Sequence, residues 1–296
     1  MTGLADDYRG LYDAVGRTAV VPPDKPRSRF DVPASLAGVG RSTVEMGREV
    51  TGLVDMLGRV GRALVGVARD PRSFRLTSLV HQLDRVAWQA VPIIALITFL
   101  IGCIIAQQGF FHFRKFGADQ YVVDMVGILV VREIGVLLVA IMVAGRSGSS
   151  YTAELGSMKM REEIDAIRTM GLDPVSVLIL PRVLALVIAL PALTLLGILA
   201  ALYGGGLVAS LYGGMSPEIY MARLREALSM DHLKVGMLKA PFMALVIGIV
   251  ACAEGLRVKG SAESLGLRTT ASVVKAIFLV IVLDGIFAVY FASIGL

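Results

Sequence analysis

The sequence predicts an all-α polytopic membrane protein, and three observations support this fold class. Of the 296 residues, 55% are hydrophobic and only 18% are charged, whereas a soluble domain carries about a quarter charged residues. The apolar residues form long runs that hold almost no Asp, Glu, Lys or Arg, and a helix needs roughly 20 such residues to cross the hydrocarbon core. The basic residues cluster in alternate segments between these runs, as is typical of multi-pass membrane proteins.

The 85 residues before the first apolar run divide into two parts. Residues 1–40 are polar and contain four prolines, which predicts a flexible tail. Within 44–68, apolar residues recur at helical spacing, opposite a face that holds arginines and acidic residues. We therefore expect residues 41–85 to form an amphipathic helix on the membrane surface, followed by a short linking helix. The alternative is that this helix packs against a soluble partner or another subunit.

The remaining residues, 86–296, are predicted to form one membrane domain with five spans. The expected spans are about 87–108, 123–145, 183–211, 235–255 and 275–295. The third is rich in glycine, which favours close helix packing or a kink within the membrane. The fourth has the shortest charge-free part, residues 240–253.

The distribution of Lys and Arg predicts the orientation. Thirteen of them precede the first span, five lie in residues 146–182, and four follow the fourth span. The other two connections, 109–122 and 212–234, hold two and three. The positive-inside rule therefore puts the N-terminus in the cytoplasm and the C-terminus on the opposite side. The net charge of +5 is thus explained by topology, and we expect no nucleic acid partner.

Two adjacent charges, Arg132 and Glu133, interrupt the second span within "ILVVREIGVLLVAIM". A charge at mid-bilayer costs about 2.5–3.5 kcal/mol on insertion scales. Adjacent residues of an α-helix point about 100° apart, so we expect each to need a further partner. Asp284 in the fifth span is the expected counter-charge for Arg132. The charges either form a structural ion pair or line a cavity that admits a lipid head group.

Residues 146–182 connect the second and third spans on the predicted cytoplasmic side. Met160, Ile164, Ile167 and Met170 form one helical stripe, and Asp165 is spaced to pair with Arg161 and Arg168 along the other face. Gly171 is placed as a helix C-cap, with Asp173-Pro174 as a stop. We therefore expect span two to end at the glycines 145 and 148, and a short amphipathic helix over about 158–170. It is either an ordinary interfacial helix or a coupling helix that receives force from a cytoplasmic motor.

The motifs in this region resemble those of the MlaE (YrbE) permease family. They include "REIG" (132–135), "AGRSGSSYTAELG" (144–156) and eight single positions. These are Glu154, Gly156, Met158, Glu162, Asp173, Pro174, Pro181 and Arg182. The resemblance covers roughly residues 45–296. It implies a homodimeric inner-membrane permease of an ABC transporter, which moves lipids, with phospholipids as the expected class, between the inner membrane and a periplasmic MCE-domain protein. It also implies a cytoplasmic ABC ATPase, with a STAS-domain protein as a further candidate partner.

The resemblance also implies roles for individual residues. The expected substrate-binding residues are Arg132, Glu133 and Asp284, together with Phe116, which stands where a family member has tyrosine and so lacks its hydroxyl. The candidate ATPase-coupling residues are Glu154, Gly156, Met158, Glu162, Asp165, Arg168 and Asp173.

The sequence lacks the phosphate-binding loop G-x-x-x-x-G-K-[ST]. We therefore expect a permease subunit and not an enzyme, with no cofactor in this chain and with ATP and Mg bound by the partner ATPase. The three histidines are far apart and show no metal-ligand spacing. The alternative function is an ion- or proton-coupled secondary transporter or channel for a hydrophobic compound, with Arg132, Glu133 and Asp284 as a relay. The odd number of spans and the absence of inverted halves argue against it.

Overall fold

The computed structural model describes residues 32–70 and 74–295. Within these residues all regular structure is helical, and five segments are long and apolar enough to cross a membrane. These membrane-spanning segments are Leu76–Phe116, Tyr121–Met160, Val175–Leu211, Met230–Leu256 and Ala262–Ser293. The predicted fold class and the five predicted spans are therefore confirmed. Each segment extends beyond its charge-free run, because the helices continue into their polar ends.

The first element among the described residues is helix α1, Val32–Arg69. It begins inside the predicted tail, so residues 32–40 are helical, while residues 1–31 lie outside the described residues. From residue 51 onward, Met56 and Val60 are buried, and they pack with Ala63 and Val67 in a cluster that includes Leu180. Leu57 and other large apolar side chains on the same helix remain exposed. An apolar face that the chain leaves uncovered suits a helix on a membrane surface.

Within the described residues 74–295 the chain continues with ten α-helices, several of which are joined by short π-helical or 3-10 turns. They are α2 Leu76–Val86, α3 Val91–Phe113, α4 Tyr121–Leu129, α5 Gly135–Val143, α6 Ser149–Met160, α7 Glu163–Thr169, α8 Leu180–Leu211, α9 Pro217–Ala227 and α10 Met230–Leu256, followed by the final helix α11 Ala262–Ser293. The fourth segment is central, with 67% of its most apolar window buried, whereas the fifth buries only 17% of its window. The fifth segment therefore presents most of its apolar surface outward.

Glycines of the third segment allow its helix, α8, to approach neighbouring helices closely. A Cβ at Gly204 would lie 3.0 Å from the Cys103 sulfur and would overlap the backbone of Phe99 on α3. A Cβ at Gly197 would lie 2.9 Å from a methyl group of Val139. These glycines therefore serve close packing, as small residues commonly do between membrane helices.

The prediction that the second segment ends at Gly145 and Gly148 is wrong. The helix passes through a π-helical turn, Ala144–Gly148, and continues as α6 to Met160. Ser147, Gly148 and Thr152 of this stretch are buried, whereas Gly145 is exposed. Thr152 Oγ1 lies 3.0 Å from the Ala251 carbonyl oxygen and 2.8 Å from Ser272 Oγ, on α10 and α11. A sequence with the composition of a loop therefore forms helix α6, because its small side chains fit between α10 and α11.

The predicted helix over 158–170 is also wrong as a single element. It is interrupted at Arg161 and Glu162, and Glu162 adopts a left-handed conformation with φ of 60°. Only α7, seven residues long, follows the break. Of the expected apolar stripe, Ile164 is buried, whereas Met170 is 66% exposed. The stripe belongs to two differently oriented helices, because the end of α6 is already fixed by packing against α10. The predicted helix end at Gly171 is confirmed, with φ of 77°.

Candidate functional site

A cluster of four charged side chains lies inside the membrane domain, and three of them were predicted. Arg132 and Glu133 lie in a π-helical turn, Val130–Ile134, between α4 and α5. Lys239 of α10 forms ion pairs with Glu133 and with Asp284 of α11, the latter at 3.1 Å. Arg132 Nε lies 3.3 Å from Glu133 Oε1. Three membrane-spanning segments therefore contribute to one charge cluster, which we call the intramembrane cluster.

The intramembrane cluster is well shielded and formally neutral. The side chain of Lys239 is 0% exposed and that of Asp284 is 13% exposed, whereas Arg132 and Glu133 are about one-quarter exposed at 21% and 26%. Two cations therefore balance two carboxylates. Burial of an unpaired ion costs several kcal/mol, and ion pairs with good geometry offset much of that cost. The cluster is thus tolerable within a membrane as a complete set and expensive when one member is missing.

The structure corrects the expected partner of Asp284. Its ion-pair partner is Lys239, whereas we had expected Arg132. The contact between Arg132 and Glu133 was not expected of adjacent residues, and it lies within a π-helical turn, but Glu133 has the further partner that the sequence predicted, namely Lys239. Lys239 was missed because it stands just before the charge-free part of the fourth span. Its signal was its apolar setting, "VGMLKAPFM".

Close backbone approach positions Lys239. A Cβ at Gly236 would overlap the carbonyl oxygen of Val131 in the π-helical turn. Glycine at this position therefore allows α10 to contact the turn directly. Lys239 follows by three residues and lies on the same face of α10. Its ammonium group thereby reaches Glu133.

Phe116 was the fourth predicted substrate-binding residue, and the structure separates it from the other three. It lies in a 3-10 turn, Arg114–Phe116, at the end of the first segment, and its side chain is 84% exposed. The contacts that join Arg132, Glu133 and Asp284 do not include it. Its predicted role stays a prediction.

Glu154 is the centre of a second polar network, on the side of the 146–182 segment. It forms ion pairs with Arg85 of α2 and with Arg182 of α8, the latter at 3.1 Å. Ser150 also donates a hydrogen bond to Glu154, at 3.2 Å. Glu154 therefore holds three helices together from within the chain. The sequence had suggested it as an ATPase contact, but its carboxylate is engaged internally.

A third network at the same end of the bundle was missed by the sequence analysis. Glu254 on α10 is 1% exposed and accepts from Arg257, Arg268 and Lys275 at 3.0–3.1 Å. Arg268 and Lys275 belong to α11, so this carboxylate links the fourth and fifth segments. Hydropathy could not reveal it, because Glu254 stands next to the end of the charge-free run.

The remaining predicted coupling residues fall into two groups. Gly156 and Met158 face the interior, and a Cβ at Gly156 would lie 2.7 Å from a methyl group of Val258. Glu162, Asp165 and Arg168 are exposed around α7. Asp165 and Arg168 form the predicted ion pair at 3.1 Å. The predicted pair between Arg161 and Asp165 is replaced by one with Glu163, at 3.0 Å, because the helix is broken there.

Asp173 caps the start of the third segment. Its carboxylate accepts hydrogen bonds from the backbone N–H groups of Val175 and Ser176, at 3.2 and 3.0 Å, and from the Ser176 hydroxyl at 2.6 Å. Burial acts to raise the pKa of this carboxyl. The Ser176 hydroxyl, the two N–H groups and the charge of Arg59 together outweigh burial, and they hold the pKa below its ordinary value.

Among the described residues, no group of three or more His, Cys, Asp or Glu side chains could hold a metal ion. Cys103 and Cys252 are free thiols inside the bundle.

Comparison with known proteins gives a consistent result. The family described as Permease MlaE matches residues 79–290. The intermembrane phospholipid transport system permease protein MlaE of Haemophilus influenzae is 31% identical over 81% of this chain and 93% of that protein. A probable ABC transporter permease protein of Rickettsia typhi is 29% identical over 82% of this chain and 92% of its own length. The chloroplastic protein TRIGALACTOSYLDIACYLGLYCEROL 1 of Arabidopsis thaliana is 29% identical over 72% of this chain.

Proposed function

This chain belongs to the MlaE permease family, and we propose that it is the membrane subunit of an ABC transporter that moves phospholipids. The phospholipid moves between the inner membrane and a periplasmic MCE-domain protein, and a separate ATPase supplies the energy. The related protein of Haemophilus influenzae is named as an intermembrane phospholipid transport permease. Five apolar segments and this relationship support an inner-membrane protein. The cytoplasmic N-terminus and periplasmic C-terminus follow from the Lys and Arg distribution and are part of the proposal.

The intramembrane cluster is the observation that most supports a transport role. Ionisable side chains within membrane segments are expensive, and they commonly mark substrate or ion pathways. Arg132 and Glu133 are about one-quarter exposed, so they border space at the edge of the packed bundle. A guanidinium group there can bind a lipid phosphate through two parallel hydrogen bonds. We therefore assign Arg132 to the phosphate group of the transported lipid, with Lys239 and Asp284 as the pair that fixes Glu133 beside it.

The segment from Arg161 to Met170 is proposed to contact the ATPase. The charged side chains Glu162, Asp165 and Arg168 are exposed, whereas the carboxylate of Glu154 forms ion pairs inside the chain. The left-handed residue Glu162 bends the chain, so that α7 forms a separate short element beyond the end of α6. We therefore limit the polar ATPase contacts to Glu162, Asp165 and Arg168. Gly156 and Met158 would act by keeping α6 packed against α10 and α11.

A homodimer is proposed because one chain offers few helices to enclose a two-tailed lipid. The fifth segment carries Asp284 and turns large apolar side chains such as Phe278, Ile286 and Val289 outward. Lipid or a second copy of this segment could cover them. A two-fold dimer is the commonest arrangement of homo-oligomers. Crosslinking in native membranes tests this, and a product pattern with monomer alone would contradict the dimer.

The ATPase contact is tested by charge reversal and co-purification. In cells that express the complete transport system, Glu162→Lys with Asp165→Lys should release the ATPase from the affinity-purified permease. Membrane insertion should be normal, because both side chains are exposed. The matched control is Glu218→Lys with Glu226→Lys on α9, two exposed residues of a connection that is predicted to lie on the other side of the membrane. Full retention of an active ATPase by the first variant would contradict the assignment.

The lipid-transfer role is tested on the assembled complex. Proteoliposomes with fluorescent phospholipid should transfer it to the purified MCE-domain protein only when ATP is present. Arg132→Lys keeps the charge balance of the cluster but not the fork of N–H donors, so it should insert and assemble normally but transfer little lipid. If transfer instead depended on a proton or ion gradient and not on ATP, the alternative of an ion-coupled transporter would replace this proposal.

A further inference from the structure

A small polar pocket lies between the first and second membrane-spanning segments, at the end from which the 146–182 segment emerges. Its volume is about 130 Å³, and Arg85, Gln89, Arg146, Ser150 and Tyr151 line it. It is distinct from the intramembrane cluster. Arg146 follows Arg132 by 14 residues on the same segment, which corresponds to about 21 Å of helix.

An apolar groove adjoins this pocket. The groove has a volume of about 310 Å³, and its walls include Ile93, Ile97 and Met142. Arg146 and Ser147 line both cavities. A polar compartment and an apolar compartment therefore meet at the guanidinium group of Arg146.

The polar pocket has an excess of positive charge. Arg146 donates a long hydrogen bond of 3.4 Å to the neutral amide of Gln89, and it makes no ion pair within the described part of the chain. Arg85 and Arg182 share the single carboxylate of Glu154. The hydroxyl of Tyr151, a residue that lines the pocket, is buried without a hydrogen-bond partner among the described residues. Such an unpaired donor is costly unless an acceptor reaches it.

The two compartments lie at the depths that a lipid would need. Trp88 is 74% exposed beside Gln89, and tryptophan at the end of a membrane helix marks the head-group level. Ile93 and Ile97 follow one and two helical turns farther into the apolar run. The polar pocket is therefore at the level of lipid head groups, and the groove leads from it into the hydrocarbon region.

We propose that this pocket and groove bind an anionic phospholipid from the leaflet on the side of the 146–182 segment. Arg146 binds the phosphate, with Arg85 and Tyr151 as further donors, and one acyl chain occupies the groove. Arginine is well suited to phosphate because it offers a fork of N–H donors. Basic pockets between membrane helices on the cytoplasmic side are known to bind such head groups. The site concerns binding and does not depend on the proposed transport activity.

Trp88 provides a local readout, because it is the only tryptophan of the chain. The purified full-length protein in detergent is titrated with phosphatidylglycerol that carries brominated acyl chains, which quench tryptophan on contact. Brominated phosphatidylcholine, which has no net charge, is the reference for lipids that merely surround the helix. We expect phosphatidylglycerol to quench at a lower concentration than phosphatidylcholine. Equal quenching by the two lipids would overturn the proposal.

Arg146→Gln tests the head-group contact. Loss of one hydrogen bond to a charged group corresponds to about a tenfold or larger loss of affinity. We expect that loss for phosphatidylglycerol alone, and no folding defect, because Arg146 is exposed and forms no ion pair among the described residues. The control Arg225→Gln removes an exposed arginine from α9 and should change nothing. An Arg146→Gln variant with the affinity of the wild type would refute the assignment.

Gly145→Leu tests the acyl-chain groove. Gly145 lines the groove, and a Cβ at this position meets no atom within 4 Å, so leucine can occupy the groove without a clash. The control Gly266→Leu places the same side chain on α11 at a position that is equally open. We expect weaker phosphatidylglycerol binding only for Gly145→Leu. If this variant bound the lipid normally and inorganic phosphate displaced the lipid completely, the pocket would be a site for free phosphate and the lipid proposal would be wrong.

Discussion

Replacement of Lys239 by methionine should destabilise the protein more than any other single change in the intramembrane cluster. The side chain of Lys239 is 0% exposed and contacts Glu133 and Asp284. Methionine fills a similar volume but leaves two carboxylates beside the single cation of Arg132. Removal of one partner from a buried ion pair costs about 3–5 kcal/mol.

A proton sets an upper limit to this cost. Uptake of one proton by a carboxylate restores neutrality, and at pH 7 this costs about 4 kcal/mol for an ordinary aspartate. We therefore expect a loss of about 3–4 kcal/mol at pH 7. The same uptake costs only about 1.5 kcal/mol at pH 5. The difference in the free energy of unfolding between the wild type and Lys239→Met should accordingly become smaller as the pH falls from 7 to 5.

The measurement is the free energy of unfolding of the detergent-solubilised protein at the two pH values. Lys239→Met combined with Asp284→Leu is the matched control, because it leaves Arg132 and Glu133 as a neutral pair. This double variant should regain most of the lost stability at pH 7, since apolar residues can replace a buried ion pair. A loss below about 1 kcal/mol for Lys239→Met, or a loss that does not depend on pH, would refute the neutral-cluster argument.

Three further changes test the ion pairs of Glu254, the helix cap of Asp173 and the close packing of α8, each by the thermal stability of the purified protein. Glu254→Gln should cost about 1–3 kcal/mol, because it removes the carboxylate that joins α10 to α11, whereas the exposed control Glu263→Gln should be nearly neutral. Asp173→Asn should cost about 0.5–2 kcal/mol at pH 7 by weakening a helix cap. Because the pKa of Asp173 is lowered, its contribution is present above the ordinary aspartate pKa and is lost as the pH falls below it. Gly204→Leu should prevent normal packing of α8 on α3, while Gly266→Leu should be tolerated, and equal stability of these two variants would contradict the packing argument.

The sequence was sufficient for the spans, since hydropathy depends on composition and the bilayer core has a fixed thickness. It was also sufficient to single out Arg132, Glu133 and Asp284, because charges in apolar runs are conspicuous. It was not sufficient to pair them. Which charges meet depends on the rotation of each helix about its axis, and a π-helical turn changes that rotation without any change in hydropathy. Lys239 was overlooked because it stands just before the charge-free part of the fourth span, and its ion-pair partners lie on two other segments.

The connection between the second and third segments was harder to predict. Glycine, serine and threonine after residue 144 are typical of a loop, because they weaken an isolated helix. In the folded chain the same residues allow α6 to fit between α10 and α11, so tertiary packing outweighs local propensity. The helix end at Gly171 was predictable, since a glycine with positive φ is a local requirement of the helix C-terminus.

The π-helical turn at Val130–Ile134 leads to a last prediction, which separates the geometry of the cluster from its composition. A π-helical turn is an α-helix with one additional residue, and such turns are frequent at functional sites. Deletion of Ile134 should convert the turn to regular α-helix, so that α4 and α5 keep their positions while the charges of Arg132 and Glu133 move relative to Lys239. We expect this variant to insert and remain folded but to transfer little phospholipid in the proteoliposome assay. Deletion of Ala140 from the regular helix α5 is the control. It rotates everything beyond it by about 100°, which should prevent folding, because Ala140 and its neighbours are buried. Normal transfer by the Ile134 deletion would mean that the position of these charges does not matter for transport.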